Sequence, residues 1–265
     1  MKPVNPLPCT PYTPVIEVTD FTKHYGSFAA VSDLSFAVRP GEIIGLVGAN
    51  GAGKTTTLRA ITGILRPTAG AIWVGGCDIE KEPVAAKQQF AYIPDTIHPY
   101  DLLTVTEHLH FIALTYRIKD AEAKYRAVLE ELDLEDKQDQ MASSLSRGML
   151  QKLALACAFV REPRVIVLDE PLTGLDPRGI RNIKESIRRR AADGTAFLLS
   201  SHLLHLVEAL CDQVLILHHG RKTAFGSLED IRALTTLPAE TSLEDVFFAV
   251  TENQAQPAVE EAVRV

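Results

Sequence analysis

The stretch EIIGLVGANGAGKTTTLRAITGIL, Glu42 to Leu65, changes its period half way along. Its opening EIIGLVG is almost continuously apolar, as in a strand buried on both faces. From Lys54 onward, Leu58, Ile61 and Leu65 fall three and four positions apart, the stripe of a helix running to Leu65. Between the two, Gly48, Gly53, Lys54 and Thr55 satisfy G-x-x-x-x-G-K-[ST] in the strand–turn–helix setting that this pattern requires. The spacing has a chemical reason. Glycines let backbone N–H groups converge on phosphate oxygens at a helix start, the lysine adds a mobile positive charge, and the next hydroxyl can ligate Mg²⁺. Gly48, Asn50, Gly51, Ala52, Gly53, Lys54, Thr55 and Thr56 are therefore candidate phosphate-binding residues.

Downstream, the apolar runs VIVLD (165–169), AFLLSS (196–201) and VLIL (214–217) are separated by helical segments, as expected of buried parallel strands. VIVLDE delivers Asp169 and Glu170 at the C-terminal end of its strand, where open α/β sheets bind ligands. Asp169 can join a Mg²⁺ shell and Glu170 can polarise a water, although such a pair taken alone could equally cap the next turn. Asp176 and Pro177 predict an N-cap and a first helical proline, and Gly194 a stop. Upstream, VIEV, FAAVSDLSFAV and AIWV read as short β runs. Residues near 85 to 160 read as mainly helical, with a Thr104/Glu107 capping box and further helices near 121–132 and 147–159. The expected fold is α/β: a phosphate-loop core with a mostly parallel sheet, an N-terminal antiparallel β subdomain and a helical insertion over about 87–160.

The bulk numbers agree with a globular chain of this size. With 265 residues, 46% of them hydrophobic, there is ample material for a core. A net charge of −7 gives no global reason to bind nucleic acid. Cys9, Cys77, Cys157 and Cys211 lack any CxxC spacing and read as reduced, mostly buried thiols of a cytosolic protein. No window has the roughly 18 to 20 apolar residues of a membrane span, and the N-terminus has no secretory h-region. Residues 1–14 hold five of the 15 prolines and read as an extended tail. The central domain is expected over 15–235, followed by a C-terminal extension over 236–265 that loses periodicity after about 250.

One further motif narrows the family. LSRGM (Leu145 to Met149) stands shortly before VIVLDE, followed by LTGLDP, and with the phosphate loop this resembles the ATP-binding subunits of ATP-binding cassette (ABC) transporters over about residues 15–235. The resemblance implies ATP with Mg²⁺, and two cassettes paired head to tail. Ser146 and Gly148 of one subunit would then cap the nucleotide held by Lys54 of the other. The helix predicted to follow Ser146 gives that role a physical basis, because a helix N-terminus favours anions. Asp176 resembles the family's D-loop aspartate, a role compatible with its N-cap. His202 resembles the switch histidine that senses the γ-phosphate. Tyr25 in KHYGSF resembles the adenine-stacking aromatic, against the alternative of a core tyrosine. Thr55, Asp169 and Asp95 would surround the metal, with Glu170 as general base.

The chain also departs from the family's pattern. Arg147 and Met149 stand where the signature usually has glycine and glutamine, and Asp95 of YIPD stands where a glutamine is usual. Asp95 is shorter and anionic. It could still ligate Mg²⁺, could respond to the metal through like-charge repulsion, or could simply cap the turn after Pro94. With no span of its own, the chain is expected to serve a separate membrane permease docked near Ile97, Tyr100, Leu102 and Leu103, unless these pack internally, and so to sit on the inner face of the membrane. YIPD, the RGM signature and the tail FGSLEDIRAL…SLEDVFFAV resemble cassettes of ABC-2 type exporters. A non-transport ABC ATPase switching a soluble partner is the other reading. The DNA-repair type is disfavoured because Lys54 and Ser146 are too close for a long coiled coil, and the ribosomal type because only one cassette is present.

Overall fold

The computed structural model describes residues 13–238 and 240–252. Cys9, the expected proline-rich tail save its last two residues, and most of the expected C-terminal fraying lie outside them. The chain opens with a hairpin, β1 (Ile16–Tyr25) and β2 (Phe28–Val38), then crosses to β3 (Ile43–Val47) and α1 (Lys54–Ile61). It returns through β4 (Ala69–Val74) and β5 (Cys77–Asp78), whose antiparallel pairing with the hairpin completes a sheet of order β2-β1-β4-β5. Next come α2 (Pro83–Gln89), β6 (Phe90–Ile93), α3 (Val105–Tyr116), α4 (Ala121–Glu131) and α5 (Arg147–Arg161). The remainder alternates: β7 (Val165–Asp169), α6 (Pro177–Ala192), β8 (Ala196–Ser200), α7 (Leu204–Leu210), β9 (Gln213–His218), β10 (Arg221–Gly226), α8 (Leu228–Ala233) and α9 (Leu243–Glu252).

The second sheet has the order β10-β9-β3-β8-β7-β6, parallel throughout except for the β9/β10 hairpin. The period-two rule explains why its central strands are apolar on both faces until their C-terminal ends, where Asp169 and Ser200 stand. Ile44, Leu46, Val165, Val167, Ala196, Leu198, Leu215 and Leu217 enter the core shared with the antiparallel sheet and α1. Their neighbours Ile43, Val47, Ile166, Leu168, Phe197, Leu199, Val214 and Ile216 enter a second core, under the helices of the opposite face. Both faces are covered, so neither half of the alternation can be polar.

Three local departures from expectation have physical causes. The first helix stops at Ile61 rather than Leu65, because Gly63 adopts φ +67° and Pro67 follows. Within the span that reads as helical from 85 to 160, Phe90–Ile93 is a strand at the sheet edge, paired with β7. Four residues are too few to show a period, and flanking helices mask them. The helical excursion accordingly leaves the sheet at Pro94 and returns at α5, which packs against α3 and α4. The Thr104/Glu107 capping box, the Asp176 N-cap with Pro177, and Gly194 at φ +99° are all present.

Candidate active site

The strand–turn–helix read from the sequence builds a loop that is locked from beneath. A side chain at Gly48 would stand 2.5 Å from the Leu217 carbonyl oxygen, and one at Gly53, where φ is +103°, 2.8 Å from the Ala30 carbonyl oxygen. The Gly220 N–H donates to the Ala52 carbonyl oxygen at 3.2 Å, tying the loop to the β9/β10 turn. The first hydrogen bond of α1 runs from Thr57 N–H to the Gly53 carbonyl, so the amides of Lys54, Thr55 and Thr56 precede the helical ladder. Such amides, at the positive end of a helix, are ready donors to an anion. Lys54 is buried and donates through Nζ to the Gly48 carbonyl at 2.7 Å and that of Ala49 at 3.3 Å. Burial lowers its pKa, against the pull of Glu170 and Asp169.

This loop forms one wall of a cavity of about 380 Å³ lined by Tyr25, Phe28, Ala30, Asn50, Gly51, Gly53, Lys54, Thr55, Thr56, Asp95, Asp169 and Glu170. Tyr25 is 47% exposed at its rim, so it is not a core tyrosine; the Lys23 ammonium lies 5.4 Å from its ring centroid. Asp169 is buried at the end of β7 and accepts a 2.6 Å hydrogen bond from Ser200 Oγ at the end of β8. Glu170 takes φ +52°, a conformation that costs an L-residue of this kind about 1–2 kcal/mol. Its N–H donates to the Ser200 carbonyl at 3.2 Å, and its Oε2 lies 2.9 Å from His202 Nδ1. The His202 N–H also donates to that oxygen, at 3.4 Å. One carboxylate oxygen of Glu170 is thus held by two groups of the next strand's loop.

Ten of the expected residues therefore meet around one cavity: Tyr25, Asn50, Gly51, Gly53, Lys54, Thr55, Thr56, Asp95, Asp169 and Glu170. Gly48 and Ala52 lie in the loop beneath them, and His202 reaches the cavity through Glu170. Ser146, Gly148 and Asp176 do not line it. Ser146 Oγ accepts from Met149 N–H as the N-cap of α5, and Asp176 Oδ1 accepts from Gly179 N–H as that of α6. Asp95 is neither buried nor isolated: its Oδ1 lies 3.6 Å from an Arg147 guanidinium nitrogen, so the two charged departures from the family pattern face each other. The docking residues divide, with Tyr100 and Leu102 well exposed and Ile97 and Leu103 half-buried.

Two residues escaped the sequence reading. Phe28 faces Tyr25 across the hairpin turn and is 63% exposed in the same cavity; the only sequence signal was an aromatic on each side of Gly-Ser. Ser200 orients Asp169, and its signal was a polar residue ending an apolar strand. His108 is structural, with Nε2 accepting from Tyr100 N–H at 3.1 Å and Nδ1–H donating to the Thr104 carbonyl at 2.8 Å.

The residues suit a metal held jointly with phosphate. Among the described residues no three His, Cys, Asp or Glu side chains form a cage for a metal by themselves. Mg²⁺ typically uses one or two carboxylates together with phosphate oxygens and waters, and Thr55, Asp95 and Asp169 supply oxygen donors to the cavity where Lys54 and the loop amides would hold phosphates.

Among the described residues no helix is long and apolar enough to cross a membrane. The family described as ABC transporter matches residues 31–173. The ABC-type transporter ATP-binding protein EcsA of Bacillus subtilis is 34% identical over 91% of this chain and 98% of its own length. The Nod factor export ATP-binding protein I of Ralstonia nicotianae is 37% identical over 83% of this chain and 69% of its own. A solved structure of an ATP-binding subunit of an ABC transporter, 38% identical, superposes with a TM-score of 0.85, covering 89% of this chain and 99% of the other. The chain belongs to the ATP-binding subunits of ABC transporters, ATPases whose hydrolysis of ATP is coupled to transport through a membrane permease.

Proposed function

We propose that this subunit drives an exporter, with Glu170 as the general base of a Mg²⁺-assisted hydrolysis. What carries the catalytic part is the Glu170–His202 contact of 2.9 Å at the mouth of the cavity that holds Lys54. Lys54 and the loop amides bind the β- and γ-phosphates, and Tyr25 and Phe28 offer aromatic faces to the base of the nucleotide. Thr55, Asp169 and Asp95 would hold Mg²⁺, whose charge would offset that of the phosphate oxygens. Glu170 accepts a proton from water as the water oxygen bonds to the γ-phosphorus and the bond to the β–γ bridging oxygen breaks, giving ADP and phosphate. His202, holding Glu170 Oε2, keeps the other carboxylate oxygen turned to the water.

Ser146, Gly148 and Asp176 complete the site from a second cassette, which makes the working unit a dimer. Ser146 and Asp176 are exposed away from this chain's own cavity, with Gly148 half-buried beside Ser146, which supports that reading, as does Ser146 at a helix N-terminus. A permease would seat on the exposed Tyr100 and Leu102, placing the subunit on the inner face of the membrane. Export is supported by relatives named for Nod factor export and linearmycin resistance. The test is turnover with Glu170→Gln. The glutamine keeps the shape and loses the base, so hydrolysis falls by about 10²- to 10⁴-fold while ATP binding survives. Equal turnover in the two proteins would remove Glu170 from this role.

A further inference from the structure

The phosphate cavity carries an excess of negative charge. Asp95, Asp169 and Glu170 line it against the single ammonium of Lys54. A triphosphate entering without a metal meets three carboxylates, so whatever neutralises one of them sets how strongly binding depends on the cation. Asp169 has Ser200, at the end of β8, and Glu170 has His202, in the loop that follows that strand. Asp95 has neither a strand nor a buried partner. It sits at a junction, lining the phosphate cavity on one side and, on the other, a groove with Thr96, Ile97, Arg147, Leu150 and Gln151.

Arg147 occupies a costly place in that groove. It is the first residue of α5, next to the Ser146 N-cap, where the helix dipole disfavours a cation. Its stem lies against Gly174 in the loop that follows Glu170: a Cβ on Gly174 would stand 3.2 Å from Arg147 Cδ. From there the guanidinium reaches Asp95 Oδ1 at 3.6 Å. Both side chains are largely exposed, 66% for Arg147 and 51% for Asp95, and the separation is longer than a hydrogen bond. An exposed pair of that length adds little to the fold. It is well suited to exchange, because a divalent cation in the cavity outbids a single solvated guanidinium for the same carboxylate.

We propose that Arg147 is a positioning residue that sets how Asp95 answers to a cation: its guanidinium screens the carboxylate in the metal-free cavity and releases it to the metal. This rests on the reading of Asp95 as a cation ligand, and it adds a prediction which that reading lacks. Without Arg147, the full charge of Asp95 faces the phosphates, so nucleotide alone binds more weakly while nucleotide with Mg²⁺ does not.

The experiment is equilibrium binding of a fluorescent ATP analogue to the full chain, in EDTA and in excess Mg²⁺. The readout is the ratio of the two dissociation constants. Arg147→Gln raises the ratio about twofold to fivefold, the range of an exposed ion pair. Arg147→Lys, which keeps the charge, stays nearer the wild type. Asp95→Asn lowers the ratio, and adding Arg147→Gln to it changes nothing further. If Asp95→Asn shifts the ratio and Arg147→Gln alone does not, the role given to Arg147 is overturned and the reading of Asp95 stands. If Asp95→Asn leaves the ratio as in the wild type, that reading fails and the inference fails with it. A merely structural Arg147 would weaken binding equally with and without Mg²⁺, leaving the ratio unmoved, which also overturns the proposal.

Discussion

Two ion clusters bracket the helical excursion between Pro94 and α5, and they are built in opposite ways. At the far side Glu131, ending α4, receives both guanidinium nitrogens of Arg190 from α6, at 2.5 and 2.9 Å, and one from Arg189 at 2.6 Å. The Glu131 side chain is 13% exposed, and the Arg190 guanidinium stacks 3.6 Å from the Phe159 ring centroid. At the near side, Asp95 and Arg147 stand 3.6 Å apart in solvent. A bidentate, stacked and sheltered pair fixes geometry, whereas a long exposed one can be traded for another partner. The excursion is therefore stapled at Glu131 and loosely held at Asp95, where it meets the phosphate cavity.

The largest effect expected from this contrast is on Glu131. Truncation to alanine leaves two arginines facing a site built for a carboxylate, which costs about 3 kcal/mol for a sheltered pair. For a chain of this length that lowers Tm by about 6–12 °C in thermal unfolding. The same residue has a pH signature. Burial alone would raise the Glu131 carboxyl, but hydrogen bonds from Arg190 and Ser186, followed by the charges of Arg190 and Arg189, bring it below the ordinary 4.5. A lowered folded-state value means that the stabilisation is whole above 4.5, fades as pH falls below it, and is gone once pH has passed the folded value. The stability gap between wild type and Glu131→Gln should thus be full at pH 7 and close in acid. A gap that stays constant with pH would show that Arg189 and Arg190 do not need a carboxylate.

Next in size is Ser200→Ala. It removes a 2.6 Å donor from the buried Asp169 carboxylate, a loss of about 1.5–3 kcal/mol for a hydrogen bond to a charged group. Denaturant unfolding at neutral pH reads it directly. An unchanged midpoint would mean that Asp169 has found another donor, and the phosphate cavity would then be less rigidly built than the Glu131 cluster implies.

How far the sequence discloses this molecule depends on whether a feature is local in the chain. Strand β7 spans VIVLD as read, and the capping box at Thr104 and the N-cap at Asp176 are where their short signatures put them, because each is decided within a few residues. Strand β6 was missed because Phe90–Ile93 declares itself only by pairing with β7, some seventy-five positions on. The same division runs through the site. Lys54 and Asp169 carry their chemistry in local motifs, yet Ser200 acquires a role only when β8 lies beside β7, and Phe28 only when the hairpin turns it toward Tyr25. Asp95 and Arg147 were legible as two separate oddities of charge. That they are one contact is a fact of the fold, which returns α5 to the loop after β6.

The smallest effect is the one that separates the two clusters most sharply. Asp95→Asn keeps the shape of the side chain and discharges an exposed pair, so stability should change by less than about 0.5 kcal/mol. A thermal shift of a degree or so is all that follows. Were the substitution instead to cost as much as Glu131→Ala, the near end of the excursion would be a staple like the far end, and the contrast would collapse. Geometry keeps the change small: at 51% exposure the carboxylate already has water to replace the guanidinium, and at 3.6 Å there is little hydrogen-bond energy to lose. What the substitution does remove is one of the three negative charges on the cavity wall. A protein as stable as the wild type but with altered Mg²⁺ dependence of nucleotide binding would place the whole consequence of Asp95 in the cavity and none of it in the fold.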